Sequence, residues 1–238
     1  MPTVADLGIF LQVRMGSSRL PGKIFRFIGG RPSLQLLCDR LKKTPFAEHL
    51  VLVTSNNPLD DRVAEFAAQE HLRCFRGSEN DVLARFVEAG HCFGVSDIAR
   101  LTGDCPFLST EILARNIAAF YEHQRPDYYY VEGYPIGLGA AEVMRLSALE
   151  MSHCEADSPY DREHVMPYLV AHPKKFRVVI EQAPAELFHP ALQLTLDTHE
   201  DLQRLDILFR ELRGRVEPRD LLDVYKRKPA LFSSRANG

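Results

Sequence analysis

The residues with the clearest chemical potential lie in one short segment near the start of the sequence, residues 14–23. This segment contains three cations, two glycines and two serines. Glycines allow backbone N–H groups to approach phosphate oxygens closely, and Arg and Lys side chains neutralise a polyanion. The combination favours a triphosphate-binding loop, although an ordinary exposed loop rich in Gly, Ser and Pro has the same composition. Composition alone therefore leaves both interpretations open.

The spacing within this loop excludes two common phosphate-binding motifs. Five residues rather than four separate Gly16 from Gly22, and Ile24 stands where the Ser or Thr of a Walker A loop would bind magnesium. The loop also lacks the GxGxxG pattern of dinucleotide-binding proteins. A phosphate site in this loop must therefore use a different backbone arrangement.

Two aspartates follow apolar runs and are candidates for metal binding. Asp104 comes after the run at residues 98–101, and Gly103 permits a tight turn before it, whereas Asp197 follows the run at residues 192–196. Magnesium prefers a few carboxylates together with phosphate oxygens and water. We expect the two carboxylates to approach one site from two sides, with simple capping of the following helix or turn as the alternative.

The elements that must position these residues alternate in the first half of the chain. Short apolar, β-branched or aromatic runs predict strands at residues 9–13, 50–54, 73–75, 98–101, 176–180 and 192–196. Helical spacing predicts helices at residues 32–43, 60–71, 81–93 and 109–123. The alternation predicts an α/β fold with a mostly parallel sheet covered by helices on both faces. Ligands of such folds bind at the carboxyl ends of the strands.

The pattern becomes less regular after residue 125. Residues 125–190 are predicted to form an inserted, substrate-facing lobe within a single domain of residues 1–238, with helices at residues 146–154 and 164–171. Further on, Thr198 and Asp201 have the spacing of a capping box, which predicts a helix over residues 199–212. A last short helix is expected at residues 218–226.

Composition limits the possible partners. The chain has 238 residues and a formal net charge of −3, which provides no global attraction to nucleic acid or to an anionic membrane. The sequence shows neither a run of about 18 apolar residues nor a basic and apolar leader. We therefore expect a cytoplasmic protein without nucleic-acid or membrane partners. The five scattered cysteines predict buried, reduced thiols rather than disulfides or a zinc ribbon.

Six blocks of sequence resemble the cytidylyltransferase family, which includes acylneuraminate and 3-deoxy-manno-octulosonate cytidylyltransferases. In chain order they are QVRMGSSRLPGK at residues 12–23, FRGS at 75–78, DVL at 81–83, LTGDCP at 101–106, REHV at 162–165 and LDT at 196–198. Within the family, the chain most resembles the spore coat polysaccharide biosynthesis protein F group. The resemblance implies a Rossmann-like, GT-A-like nucleotidyltransferase fold of three layers, with CTP as the donor and a sugar as the acceptor.

The resemblance also assigns roles to residues. It implies Arg14, Lys23 and Asp104 as catalytic residues, and Asp104 and Asp197 as ligands of Mg²⁺, the expected cofactor. The nucleotide-binding set that it implies comprises Gln12, Arg14, Gly16, Ser17, Ser18, Arg19, Lys23, Ser55, Arg76, Thr102 and Gly103. Arg76 is expected to read cytosine, whose O2 and N3 atoms accept hydrogen bonds. A solvated Arg76 and a plain turn at Ser55 are the alternatives.

Four residues are expected to bind the acceptor sugar, namely Glu142, Arg162, Glu163 and His164. The last three form a charged cluster at a predicted helix start, where simple capping is the alternative. Residues 135–143 resemble a family stretch that usually reads Gly-Leu-Asp-x-Glu, but Gly139 replaces the Asp and one spacing differs. This departure leaves the identity of the acceptor open. The resemblance further implies a homodimer.

The expected function is transfer of CMP from CTP to a sugar acid or a sugar phosphate, with release of pyrophosphate, for surface polysaccharide biosynthesis. The sequence does not separate the two acceptor classes. One alternative is a metal-dependent glycosyltransferase, although the sequence has no DxD triplet. The other is a catalytically silent nucleotide-binding protein, which the change at Gly139 would suit. The presence of Arg14, Lys23 and Asp104 argues against it.

Overall fold

A seven-stranded, mostly parallel sheet forms the centre of the protein. The computed structural model describes residues 6–139 and 141–232. The strands are β1 (Leu7–Gln12), β2 (Phe27–Ile28), β3 (Arg31–Pro32), β4 (Leu50–Ser55), β5 (Arg73–Gly77), β6 (Asp97–Thr102), β7 (Tyr128–Glu132), β8 (Glu142–Arg145) and β9 (Val178–Gln182). The strand order in the main sheet is β5-β4-β1-β6-β8-β7-β9, and β2 pairs with β3 in a separate small hairpin.

Helices cover both faces of this sheet. They are α1 (Ser33–Leu41), α2 (Asp61–Gln69), α3 (Val82–Phe93), α4 (Thr110–Glu122), α5 (Leu146–Glu155), α6 (Pro159–His164), α7 (Pro167–Ala171), α8 (His199–Glu211) and α9 (Pro218–Arg227). Side chains of α1, α4 and α8 pack into one apolar cluster with the sheet, and side chains of α3 and α5 pack into a second one. The predicted three-layer α/β fold is therefore confirmed.

The first half of the chain contains the predicted βα units. Strands β1, β4, β5 and β6 are parallel, and in this register Gln12 at the end of β1 lies opposite Val53 of β4 and Thr102 of β6. The first five residues of β1 are buried because helices cover both faces of the strand. The loops that follow β1, β4 and β6 consequently begin at the same edge of the sheet.

Two strands of the second half of the chain are not predicted from the sequence. The tyrosine run that begins at Tyr128 forms β7, and β8 lies antiparallel between β6 and β7. Both segments are short and lack a clear alternating pattern, since each contains two adjacent buried residues, Tyr128 and Tyr129 in β7 and Val143 and Met144 in β8. Residues 125–190 thus contribute three strands to the main sheet. Their role as a substrate-facing lobe stays a prediction.

Two predicted elements are wrong. Residues 192–196 contain three buried leucines that alternate with the exposed Gln193 and the less buried Thr195, but they form no strand beyond an isolated bridge between Ile136 and Gln193. The alternation arises because one side of this segment packs on the core, whereas its backbone pairs only with loops. The predicted helix at residues 164–171 is two helices, since Val165 has a φ of 73° and Pro167 begins α7.

The cysteines and the apolar segments complete the comparison with expectation. All five cysteines lie in the described ranges and are free thiols, as predicted. Their expected burial is only partly correct, because Cys92 and Cys154 are exposed and Cys74 is half-buried. Within residues 6–139 and 141–232, the helices are all too short or too polar to cross a membrane.

Candidate active site

The loop after β1 closes on itself. The backbone N–H of Gly22 donates to the carbonyl of Met15 at 3.2 Å, and the φ of 64° at Gly22 lies in the left-handed region that glycine adopts readily. The side chains of Leu20 and Ile24 are buried and anchor the loop in the core. The loop therefore has a defined path, which returns Lys23 to the carboxyl edge of the sheet.

A cleft of about 390 Å³ opens at this edge. Most of the residues selected from the sequence line it. The lining consists of Gln12, Val13, Arg14, Gly16, Ser17, Ser18, Arg19, Lys23, Ile24, Thr102, Gly103, Asp104, His164 and Asp197. Five other predicted site residues lie outside this described lining, namely Ser55, Arg76, Glu142, Arg162 and Glu163. The structure thus brings together the proposed phosphate loop and both candidate metal ligands.

One ammonium group joins the two aspartates. Nζ of Lys23 lies 3.0 Å from Oδ2 of Asp104 and 2.9 Å from Oδ1 of Asp197. Arg19 approaches the same oxygen of Asp197 at 3.2 Å. The cations of the loop and the carboxylates of two distant segments therefore form a single charged cluster in the cleft.

The charges in this cluster stabilise one another. Burial alone would raise the pKa of Asp104, but the charge of Lys23 and hydrogen bonds from Lys23, Thr102 and Cys105 outweigh it and hold that pKa below its usual value. Burial likewise would lower the pKa of Lys23, but the two aspartates raise it above its usual value. Asp104 is thus a carboxylate and Lys23 a cation at neutral pH.

A backbone contact places Asp197 beside Asp104. The N–H of Leu196 donates to the carbonyl of Asp104 at 2.8 Å. Immediately after Asp197, the predicted capping box is present, because the side chains of Thr198 and Asp201 bond reciprocally to each other's backbone N–H groups. Asp197 is therefore held between a backbone bond and a capped helix start, which limits the positions open to its carboxylate.

A buried carboxylate that sequence reasoning missed ties the β1 loop to β4. Asp60 is only 2 % exposed. Its Oδ1 accepts from the backbone N–H of Met15 at 2.6 Å, and its Oδ2 accepts from the N–H of Ser55 at 3.2 Å and from the Ser55 hydroxyl. In the sequence, Asp60 appears only as a helix-start residue beside Asp61. Ser55 therefore supports the loop indirectly and lies outside the cleft lining described above.

Replacing Asp60 with alanine is expected to lower the free energy of unfolding by about 2–4 kcal/mol, because three donors lose their buried acceptor. Urea unfolding of the full chain measures this loss. The matched control is Asp61→Ala, which removes the exposed partner of Arg76 and is expected to cost less than about 1 kcal/mol. Equal losses in the two variants would contradict a clamp at Asp60.

Arg76 is occupied by contacts within the protein. Its Nε donates to the carbonyl of Ser55 and its Nη2 to the carbonyl of Asn57, each at 3.0 Å, and its Nη1 lies 2.7 Å from Asp61. These bonds stabilise the turn after β4. The guanidinium of Arg76 has therefore committed its donors to the turn rather than to the cleft.

Glu142 also forms hydrogen bonds within the protein. Its carboxylate accepts from Arg100 and, at 2.9 Å, from the hydroxyl of Tyr128. Burial, together with the neighbouring Glu142, raises the pKa of Tyr128 far above its usual range, so this hydroxyl remains a donor. Arg100 also donates to Oε1 of Gln12 at 2.9 Å. Glu142 consequently orients Gln12, a cleft residue, through Arg100.

The three residues of α6 that are predicted to bind the acceptor have separate environments. Arg162 donates to Asp81 and to the carbonyl of His153, each at 2.9 Å, and thereby joins α6 to the start of α3. Glu163 is exposed and lies 3.7 Å from Arg14. His164 is exposed and lines the cleft. Of the three, His164 has the most direct access to a bound ligand.

The departure at Gly139 has a steric cause. A Cβ atom at this position would lie 2.4 Å from the ring of Tyr134, which fills the space that an Asp side chain would need. Tyr134 itself is buried. Residue 140, the next position in the segment that resembles the family stretch, lies outside the described residues. The family aspartate therefore has no counterpart at this position.

The donor set of the cleft suits Mg²⁺ in combination with a nucleotide. The carboxylates of Asp104 and Asp197 face the same point, because Nζ of Lys23 contacts both of them. In the described parts of the chain, no group of three or more His, Cys, Asp or Glu residues forms a metal site by itself. Magnesium commonly takes one or two carboxylates and completes its shell with phosphate oxygens and water. The residues present fit this mode of binding.

A solved structure with the same architecture identifies the fold. A CMP:2-keto-3-deoxy-manno-octonic acid synthetase complexed with CTP has a TM-score of 0.64 at 16% identity, covering 86% of this chain and 98% of that one. The fold is the Rossmann-like fold of nucleotidyltransferases.

More similar proteins identify the family. Residues 9–227 match the family Cytidylyltransferase. Spore coat polysaccharide biosynthesis protein SpsF of Bacillus subtilis is 34% identical over 236 residues, which cover 97% of this chain and 98% of that protein. The structure of a cytidylyltransferase from Leptospira borgpetersenii has a TM-score of 0.89 at 32% identity and covers 98% of this chain and 99% of its own. The chain belongs to the cytidylyltransferase family and is a nucleotidyltransferase, as the sequence blocks predict.

Proposed function

We propose that the protein transfers CMP from CTP to a sugar acid or a sugar phosphate in a Mg²⁺-dependent reaction that releases pyrophosphate. The observation that carries this proposal is the position of Lys23, whose Nζ bridges Asp104 and Asp197 inside a cleft lined by the β1 loop. A cation-rich loop beside two carboxylates provides both groups that a metal–triphosphate requires.

The triphosphate would lie along the β1 loop. Arg14, Arg19 and Lys23 line the cleft and would neutralise the charge that grows on the β- and γ-phosphates as pyrophosphate leaves. A phosphate oxygen that enters the cleft competes with the carboxylates for Nζ of Lys23. Transfer of Lys23 to the phosphates would free Asp104 and Asp197 to hold Mg²⁺. The bound ion would polarise the α-phosphate as a Lewis acid.

The chemical step requires no covalent enzyme intermediate. An oxygen of the acceptor forms a bond to the α-phosphorus of CTP, and the bond from that phosphorus to the bridging oxygen of the β-phosphate breaks. Where the attacking oxygen belongs to a hydroxyl, its proton passes to water. The leaving electron pair remains on pyrophosphate. The protein contributes positioning and charge neutralisation, which are the main sources of acceleration in phosphoryl-type transfer.

The acceptor would enter from the side of α6. His164 lines the cleft and the exposed Glu163 lies next to Arg14, so this rim offers both a hydrogen-bonding ring and a charge pair. The relative in Bacillus subtilis carries the name of a polysaccharide biosynthesis protein. We extend that role to this chain and assign the product to surface polysaccharide biosynthesis.

The direct test is pyrophosphate release from each of the four nucleoside triphosphates with Mg²⁺ and a panel of sugar acids and sugar phosphates. We expect release with CTP, dependent on one acceptor and abolished by EDTA. The productive acceptor also decides between a CMP-sugar and a CDP-linked product. Failure to bind CTP would contradict the proposal as a whole, whereas release that ignores EDTA would contradict only the role of Mg²⁺.

The same proposal includes a homodimer in the cytoplasm. The homodimer rests on the family resemblance alone, and the cytoplasmic location rests on the expectation from the sequence stated above. Light scattering coupled to size-exclusion chromatography measures the mass in solution. A mass near that of one 27.0 kDa chain would contradict the homodimer.

A further inference from the structure

The side-chain amide of Gln12 is held in one orientation by Arg100. Nε and Nη2 of Arg100 both donate to Oε1 of Gln12, at 3.1 and 2.9 Å. A guanidinium carries donors alone, so the oxygen of the amide must be the atom that faces it. The NH₂ group of Gln12 therefore points away from Arg100. In the described parts of the chain, this NH₂ group has no hydrogen-bond acceptor, so that its donors are unused.

Arg100 is itself fixed by Glu142. Its Nη1 donates to Oε2 of Glu142, and Oε1 of the same carboxylate accepts from the Tyr128 hydroxyl at 2.9 Å. The side chains of Arg100 and Glu142 are only 13% and 20% exposed, so little water competes for this ion pair. Cζ of Arg100 also lies 5.9 Å from the centroid of the Phe86 ring. Side chains of β7, β8 and β6 thus fix the amide at the end of β1.

Of this chain of hydrogen bonds, the end at Gln12 reaches the cleft. Gln12 belongs to the cleft lining, whereas Arg100, Glu142 and Tyr128 lie outside the described lining. Both carboxylate oxygens of Glu142 already accept hydrogen bonds inside the protein. Glu142 can therefore influence a bound ligand through the orientation of Gln12, without contacting the ligand.

Gln12 lies on the same side of the cleft as α6. Phe10, two residues earlier on β1, packs in the apolar cluster of α3 and α5, and alternate residues of a strand share a face. Val165 is buried in the same cluster and directly follows His164, the cleft residue of α6. The amide of Gln12 and the ring of His164 thus border the part of the cleft through which the acceptor is proposed to enter.

The phosphate and metal groups border the other side. Ile24 and Leu196, the sequence neighbours of Lys23 and Asp197, are buried in the apolar cluster of α1, α4 and α8. The triphosphate belongs with that charged cluster. The donors of Gln12 are therefore left for the second substrate.

We propose, on the basis of the function proposed above, that Glu142 and Arg100 are positioning residues that hold the NH₂ group of Gln12 as a hydrogen-bond donor to the acceptor sugar. A donor that cannot turn over suits an oxygen that accepts and has no hydrogen, such as a carboxylate or phosphate oxygen. Sugar acids and sugar phosphates both carry such an oxygen. This assignment replaces the expectation that Glu142 contacts the sugar itself.

The kinetic test measures pyrophosphate release against the concentrations of CTP and of the sugar acid or sugar phosphate that supports release. In Gln12→Met, KM for this acceptor is expected to rise about 10-fold, as for the loss of one hydrogen bond, while KM for CTP stays within about twofold. In Glu142→Gln, KM for the acceptor is expected to rise about 3- to 10-fold, because a neutral amide holds Arg100 less firmly. The double variant is expected to match Gln12→Met alone, since Glu142 acts through Gln12.

Glu155→Gln is the matched control. Glu155 also accepts from a cation and a tyrosine hydroxyl, those of Lys175 and Tyr168, but it lies outside the described cleft lining. Its kinetic constants are expected to stay within about twofold of wild type. A readout that needs no substrate is the ¹⁵N NMR signal of the Gln12 side-chain amide, assigned by its absence from Gln12→Met. This signal should shift in Glu142→Gln and stay in place in Glu155→Gln.

The possible outcomes separate this inference from the proposed function. A wild-type protein that releases no pyrophosphate from CTP with any sugar acid or sugar phosphate of the panel would contradict the proposed function itself. If the wild type is active and the effects of Gln12→Met and Glu142→Gln multiply in the double variant, Glu142 acts independently and the inference is overturned. A rise in KM for CTP in place of KM for the acceptor would overturn it too. An NMR signal that is unchanged in Glu142→Gln would overturn the positioning role even without a productive acceptor.

Discussion

Replacing Asp104 with asparagine is expected to lower the rate of pyrophosphate release by about 10³-fold while the protein remains folded. Asparagine has nearly the same shape and can still accept a hydrogen bond from Lys23, but it lacks the negative charge that would attract Mg²⁺. The wild-type residue is a carboxylate at neutral pH, because Lys23 holds its pKa below the usual value against the effect of burial. The charge that the substitution removes is therefore present under assay conditions.

The measurement is pyrophosphate release at saturating CTP, with thermal unfolding as a check on folding. Asp223→Asn is the matched control, since Asp223 is an exposed residue of α9 and lies away from the cleft. We expect the activity of this control to remain within about twofold of wild type, as is usual for surface changes. If Asp104→Asn retains more than a tenth of the wild-type rate, Asp104 is not a metal ligand in the reaction.

Replacing Lys23 with methionine is expected to have two separate effects. Pyrophosphate release should fall by about 10²- to 10³-fold, because one of the donors that stabilise the departing phosphates is lost. The protein should also lose about 1–3 kcal/mol of stability, since Asp104 and Asp197 each lose a charged hydrogen bond and then face one another as like charges. Mg²⁺ alone is expected to restore this stability, because the ion can occupy the position between the carboxylates.

In the wild type, Mg²⁺ alone is expected to have little effect on the melting temperature, because Lys23 and Arg19 together already balance the charges of both carboxylates. The control is Lys42→Met, which breaks an ion pair with Glu70 outside the cleft and should show no Mg²⁺-dependent recovery. A wild-type protein that responds to Mg²⁺ as strongly as Lys23→Met would contradict competition between the lysine and the metal.

These comparisons are best made near neutral pH, as the signs of the two pKa shifts show. The pKa of Lys23 is raised in the folded protein, so its stabilising contribution is complete below its unfolded value and is lost as the pH rises through the folded value. The pKa of Asp104 is lowered, so its contribution is complete above its unfolded value and is lost as the pH falls through the folded value. The contributions of both groups are complete between the two unfolded values.

Local patterns in the sequence were sufficient for the parallel half of the sheet. The strands near residues 9–13 and 50–54 are apolar runs, and the helices between them have helical spacing, so each could be recognised without its partners. The capping box of Thr198 and Asp201 was also predictable, because both partners lie within one turn of helix. The same holds for the β1 loop, whose glycines and cations all lie within residues 14–23.

The alternation of buried residues gave a wrong strand prediction where the backbone does not pair with another strand. Residues 192–196 alternate as a strand would, because one side of the segment packs on the core. Alternation reports which side chains are buried, and it does not report whether the backbone lies beside another strand. The opposite error occurred at β7 and β8, which are short and contain adjacent buried residues, so that they lack a marked alternation.

The sequence by itself determined the chemical inventory of the site, whereas the tertiary structure decided which groups are available. Arg76 carries donors that could serve a nucleotide, but the turn after β4 occupies them. Lys23 meets Asp104 and Asp197 only because the sheet register and the backbone bond from Leu196 to Asp104 bring three distant segments together. Residue types are local information, but the partners that occupy a side chain depend on contacts between distant segments, and these exist only in the folded chain.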